Sequence, residues 1–131
     1  DGEVNFPKLL AKVADISPLL RVRFATSHPK DLSDELIETM ASYRNICKAV
    51  HLPAQSGSNA QLEKMNRKYT REWYLERMAA IKKAMPECAI TTDLISGFCG
   101  ETLEDHEATL SLMREVGYAS AFMFILSFCP K

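Results

Sequence analysis

Short β-rich apolar runs at 21–26, 48–52, 89–95 and 121–126 alternate with stretches whose apolar residues recur at helical spacing. Strands separated by helices cannot pair through tight hairpins. They pair in parallel with helical crossovers, so the order predicts a parallel sheet with its helices packed on the outside. About four strands are too few to close an eight-stranded barrel, which leaves an open doubly wound sheet or part of a (β/α) barrel. In both architectures ligands bind beyond the carboxyl ends of the strands.

Punctuation residues support the helices. Asn5 can cap a first helix that has Pro7 in its first turn and Leu9, Leu10, Val13 and Ile16 as an apolar stripe, with Pro18 stopping it. Ser33 caps a second helix carrying Leu36, Ile37 and Met40. Ser58 with Gln61 three residues on predicts a capping box for a short third helix. Thr70 opens a longer one with Trp73, Tyr74, Met78 and Ile81 on one face, ended by Pro86. Thr102 caps the last, which carries Leu103, Leu110, Leu112 and Val116, and Gly117 closes it.

At 131 residues the chain has the length of one domain, and its net charge of -1 makes no global case for nucleic acid. Any nucleic-acid contact must come from a local patch. Nothing near the N-terminus reads as a signal peptide and no apolar run approaches a membrane span, so the cytoplasm is the default compartment. Cys47, Cys88, Cys99 and Cys129 are too widely spaced for a zinc or iron–sulfur motif and read as buried thiols. The absence of an initial methionine, and an end directly after an apolar run, suggest a piece of something larger.

Candidate chemistry clusters after the middle strands. Gln55 follows a strand and Pro53, where its amide can both donate to and accept from a ribose or a carboxylate. Arg67 offers a planar fork suited to a carboxylate or phosphate. Asp93 is a carboxylate within a run that is otherwise strand-like and expected to be mostly buried, and so needs partners or a function. Gly97 and Gly100 permit a tight turn and close approach of a ligand. Read one at a time, these residues could equally be a loop-stabilising amide, a surface charge, a structurally paired carboxylate and a plain turn. His28 and His51 can serve acid–base chemistry or structural hydrogen bonds, and His106 reads as solvated. Lys64, Arg67, Lys68 and Arg71, with Tyr69 and Trp73 nearby, form either a phosphate-tracking patch or a solvated basic face.

Four ordered segments carry a family likeness: Arg23-Phe24-Ala25-Thr26-Ser27-His28-Pro29, His51-Leu52-Pro53-Ala54-Gln55-Ser56-Gly57-Ser58, Met65-Asn66-Arg67-Lys68-Tyr69, and Asp93 through Thr102. Together they resemble the radical S-adenosylmethionine tRNA methylthiotransferases of the MiaB type, from about residue 4 to residue 126. The resemblance implies a partial (β/α) barrel in which a four-iron four-sulfur cluster reductively cleaves S-adenosylmethionine. The resulting 5′-deoxyadenosyl radical activates an isopentenylated adenosine beside the anticodon of tRNA for methylthiolation. Carried over by position, Gln55 and Asp93 would contact the ribose and Arg67 the methionyl carboxylate. Ser27 would reach the methionyl group, and the turn at Gly97 would lie beneath the adenine.

The same resemblance assigns the cluster cysteines, an N-terminal methylthiotransferase domain and a C-terminal RNA-binding domain to the parent protein outside this chain. This chain would then be the C-terminal portion of a radical SAM core, with no catalytic or metal-ligating residue of its own, inactive in isolation and prone to self-association through the exposed barrel edge where its missing first strands should pair. Cys99 stands where the family usually has proline, and 127–131 depart from its usual continuation. Two alternatives remain: a non-catalytic α/β module with an RNA-binding basic surface, and the core of a related methylthiotransferase acting on a ribosomal protein or on threonylcarbamoyl-adenosine.

Overall fold

The computed structural model describes residues 4–25 and 28–126. Helices α1 (Phe6–Ala14) and α2 (Asp34–Ser42) precede strand β1 (Ala49–His51). Helices α3 (Asn59–Lys64) and α4 (Arg71–Ala84) lead to β2 (Ala89–Ser96), and α5 (Leu103–Val116) leads to β3 (Ser120–Ile125). Every α-helix begins at the residue its capping chemistry predicts: the side chains of Asn5, Ser33, Ser58, Thr70 and Thr102 each accept a hydrogen bond from a first-turn backbone N–H. Gly117 ends α5 in the left-handed conformation, at φ 62°.

The sheet has three parallel strands in the order β1-β2-β3, with Val50 opposite Ile90 and Asp93 opposite Phe122. Parallel strands joined through helices bear out the α/β expectation; the count of about four does not hold. The run at 21–26 contributes only one bridge, in which Val22 N–H donates to Asn45 O (2.9 Å) and Cys47 N–H to Val22 O (2.9 Å). Its neighbour bends at Lys48, and among the described residues the ladder goes no further than the Val22–Ile46 bridge.

Alternation along β2 divides the sheet into two faces. Ile90, Thr92 and Leu94 are buried, in one core with Val50 of β1, Tyr74, Met78 and Ile81 of α4, and Leu112 and Val116 of α5. Leu32, Leu36, Met40 and Ile46 extend that core toward α1. The opposite face carries His51, Thr91, Asp93 and Ile95, all half-exposed. Asp93 is therefore half-buried on an open face, not set within a buried run.

Several apolar residues that helical spacing assigns to the core are exposed. Leu9 and Leu103 lie on outward faces, and Ile16 falls two residues beyond the end of α1. The thiols of Cys47 and Cys88 are half-buried and that of Cys99, in the turn after β2, is exposed. Buried thiols are thus not what the described cysteines are, and Cys129 lies outside the described residues. No helix is long and apolar enough to cross a membrane among the described residues.

Candidate functional site at the carboxyl ends of the strands

The loop after β1 is fastened at nearly every residue. Thr92 Oγ1 donates to Leu52 O and accepts from Ala54 N–H, both at 2.9 Å. Tyr74 donates to Leu52 O (2.8 Å), and the Tyr69 hydroxyl lies 3.0 Å and 2.9 Å from the carbonyls of Pro53 and Ala54. Burial pushes the Tyr69 hydroxyl up to about 12, so it stays a protonated donor. Gln55 N–H then donates to Asp93 O, and Ile95 N–H to Gln55 O, both at 2.9 Å.

This double hook holds Gln55 beside β2 at φ 69°, a left-handed backbone that a non-glycine residue rarely adopts. Of the two described non-glycine residues with a left-handed backbone, Gln55 is one that sequence reasoning singled out. Beyond it, Gly57 N–H donates to Thr109 Oγ1 (2.9 Å), seating the loop against α5.

Arg67 is aimed by the way α3 ends. Asn66 takes the left-handed position after the helix, at φ 55°. Arg67 N–H closes back on Leu62 O (2.8 Å) and Asn66 N–H on Glu63 O (2.9 Å). These paired bonds form a Schellman cap, and they explain why an asparagine precedes the arginine. The Arg67 guanidinium and the Gln55 side-chain amide have no hydrogen-bond partner among the described residues.

Both line one cleft of about 530 Å³ with His28, Ile95 and Phe98, at the carboxyl ends of β1 and β2. Asp93 lies two residues before Ile95 on the same strand face, its carboxylate 3.2 Å from His51 Nε2. Gln55 and Arg67, distant in sequence, thus line one cleft; Asp93 is not among its lining residues and adjoins it through the backbone bond from Gln55 N–H to Asp93 O. Ser27 lies outside the described residues. A larger cleft, about 1030 Å³, sits at the amino end of β1 beside Lys48 and Ala49 and holds none of the predicted site residues.

The turn after β2 is tight. Gly97 (φ 75°) donates its N–H to the Glu101 carboxylate, and Glu101 N–H returns to Phe98 O (2.9 Å). A Cβ on Gly97 would meet nothing within 4 Å, so the turn presents bare backbone there. His28 Nδ1 accepts from Lys30 N–H (3.1 Å), opening a single 3₁₀ turn at Pro29–Asp31. Burial, and then the nearby Arg67 guanidinium, lower its affinity for a proton, so at neutral pH it is a neutral acceptor. His106 is not merely solvated, since its Nδ1 lies 3.4 Å from Ser96 Oγ.

Two roles that spacing suggests are redistributed. Gln61 does not complete a capping box with Ser58. Its amide turns to Asp105 (2.8 Å) and Gly100 O (3.3 Å), while Ser58 N–H is taken by Ser56 Oγ (3.1 Å). Arg71 leaves the basic patch, donating to Gly57 O, Ala108 O (2.6 Å), Ser111 and Glu115.

Asp105 is a support that sequence reasoning missed. It accepts from Ser58 Oγ (2.5 Å), Gln61 and Thr102 N–H (3.0 Å), and the Ser58 bond foremost holds its carboxyl well below the usual carboxylate range. The available signal was its position three residues after the cap Thr102, where an acidic side chain closes a capping box.

Residues 2–113 match the radical SAM superfamily. The chain belongs to the radical SAM superfamily. Among curated relatives, the tRNA-2-methylthio-N(6)-dimethylallyladenosine synthase of Bacteroides thetaiotaomicron is 59% identical over 98% of this chain. The like-named proteins of Parabacteroides distasonis and Porphyromonas gingivalis are 60% and 61% identical over 99% and 97% of it. This radical SAM chain spans 29%, 29% and 27% of those three relatives' lengths.

Proposed function

We propose that this chain is the C-terminal portion of the radical SAM core of a tRNA methylthiotransferase, and that its cleft holds S-adenosylmethionine. The observation that carries the reading is the convergence of the unpartnered Gln55 amide and Arg67 guanidinium on one cleft beside Asp93. The near-60% identity to synthases named for 2-methylthio-dimethylallyladenosine in tRNA supports it.

The donor set suits the molecule. Arg67's fork matches the methionyl carboxylate in a two-bond geometry. The Gln55 amide can donate to one ribose hydroxyl oxygen and accept from another, and Asp93 can accept from the diol. The bare Gly97 turn allows a flat adenine to approach the backbone.

When bound in this superfamily, S-adenosylmethionine supplies a 5′-deoxyadenosyl radical, and the chain's own residues bind and orient its carboxylate and ribose. The described residues contain no group of three His, Cys, Asp or Glu side chains able to hold a metal ion. On this reading the thiolates for the iron–sulfur clusters come from other parts of the parent protein, and the isolated chain is expected to be inactive. The test is equilibrium binding of S-adenosylmethionine to the full-length, cluster-reconstituted protein. Saturable binding supports the reading, and no binding overturns it.

The RNA partner is read from the rim. Lys30, Lys64 and Lys68 line the same cleft, whereas Arg71 serves the fold. On this reading the three lysines meet tRNA phosphates at the cleft mouth. Changing all three to glutamine in the full-length protein should weaken tRNA binding and make log K against log salt shallower by about 0.7–0.9 per lysine. Unchanged affinity and slope would remove the lysines from the interface.

A second copy of the chain is the proposed occupant of the outer edge. The exposed apolar strand residues lie not on the first-strand side but on the last strand, β3, where Phe122, Met123, Phe124 and Ile125 are 60%, 69%, 55% and 82% exposed. The isolated chain is expected to form dimers or larger species whose share grows with concentration in light scattering, and Phe122→Lys with Phe124→Lys should reduce it. A monomer at every concentration would refute the expectation.

A further inference from the structure

We propose that His51 is a positioning residue for Asp93, holding one carboxylate oxygen so that the other meets a ribose hydroxyl of the adenosyl ligand. The inference rests on the S-adenosylmethionine reading of the cleft. His51 closes β1 opposite Thr91 in the parallel register, and Asp93 is the next residue of β2 on that face. The imidazole bridges the two, with Nδ1 2.9 Å from Thr91 Oγ1 and Nε2 3.2 Å from Asp93 Oδ2.

The partners decide the tautomer. An ionised carboxylate offers only acceptors, so the nitrogen facing Asp93 must carry a proton. In a neutral ring Nδ1 is then the acceptor and takes the Thr91 hydroxyl proton. The other acceptor for that hydroxyl, Val50 O, is 3.5 Å away, at the limit of a hydrogen bond, so the shorter contact to the ring prevails. A proton chain thus runs from Thr91 O–H to His51 Nδ1, and from His51 Nε2–H to Asp93 Oδ2.

The chain limits a motion that would otherwise be soft. Rotation of an aspartate carboxylate about its last bond is broad and nearly two-fold, and Asp93 sits on a half-exposed sheet face where packing does not lock it. Holding Oδ2 orders the group before a ligand arrives, which removes an ordering cost from binding. Asp93 Oδ1 has no hydrogen-bond partner among the described residues. His51 would act through Asp93, touching neither the ligand nor the reacting atoms.

The experiment uses full-length, cluster-reconstituted protein and S-adenosylhomocysteine, a non-reacting probe with the same ribose and carboxylate, read by calorimetry. His51→Ala should weaken binding about tenfold, the scale of one hydrogen bond to a charged group. His51→Gln, whose amide nitrogen reaches the position of Nε2, should restore most of it, and His51→Asn, which reaches only the position of Nδ1, should not.

In an Asp93→Asn background the His51→Ala penalty should vanish, and it should shrink for probes lacking one ribose hydroxyl. A merely structural histidine would move none of these selectively, and His51→Gln keeps the test alive if His51→Ala folds poorly. Wild-type affinity in His51→Ala, or a penalty adding in full to that of Asp93→Asn, overturns the positioning role alone. No probe binding by the wild type, or wild-type affinity in Asp93→Asn, overturns the ribose reading beneath it.

Discussion

Replacing Arg67 with alanine is expected to weaken S-adenosylmethionine binding by the full-length, cluster-bearing protein about ten- to hundredfold, the scale of a charge-assisted hydrogen-bond pair. The size follows from the geometry. The Schellman cap of α3 fixes the backbone at Asn66 and Arg67, and the guanidinium has no hydrogen bond to any described residue that could compete with a ligand. Little of its binding energy is lost to an internal partner. Arg67→Lys should recover only part of the affinity, because a point charge lacks the planar fork. Isothermal titration of the three proteins checks this, and equal affinity in wild type and Arg67→Ala would rule out Arg67 as the carboxylate contact.

Gly57→Ala is expected to give the largest loss of stability. A Cβ there would sit 2.4 Å from Ala108 O, 2.7 Å from Thr109 Cα and 2.8 Å from Ala108 C. All three are backbone atoms of α5, so no side chain can swing aside. Either the helix or the loop must move, and the move breaks the Gly57 N–H bond to Thr109 and the Arg71 bonds that join Gly57 O to Ala108 O. Overpacking of this kind costs about 1–3 kcal/mol, and a domain of this size loses about 2–8 °C of melting temperature for each kcal/mol. Thermal unfolding measures it; a melting point within a degree of wild type would show that the approach of loop and helix is not tight. Because the same loop carries Gln55, binding of S-adenosylmethionine should fall with stability.

The places where sequence reasoning failed share a cause. The run at 21–26 alternates as a strand should, but strand identity requires a neighbour, and among the described residues it makes a single bridge, Val22 to Ile46, before its neighbour bends at Lys48. Ser58 and Gln61 have capping-box spacing, yet Gln61 is drawn away by Asp105 and Gly100, far along the chain. Arg71 has the charge of its neighbours but is claimed by α5. For Gln61 and Arg71 a partner more than twenty residues distant outbid the local preference; for the run at 21–26 no long-range partner completes the ladder among the described residues.

What local chemistry settles was legible without coordinates: five capped helix starts and the parallel αβ order, with Gln55, Arg67 and Asp93 legible as candidates. Caps, turns and period act within one or two helical turns, so their energies are written in neighbouring residues. The number of strands, the exposure of β3, the strained seat of Gln55 and the His51–Asp93 contact depend on which backbone and side chains meet across the sheet. Those contacts join residues from 24 to 42 positions apart, and no short-range pattern encodes them. They come into being only when distant strands are laid side by side.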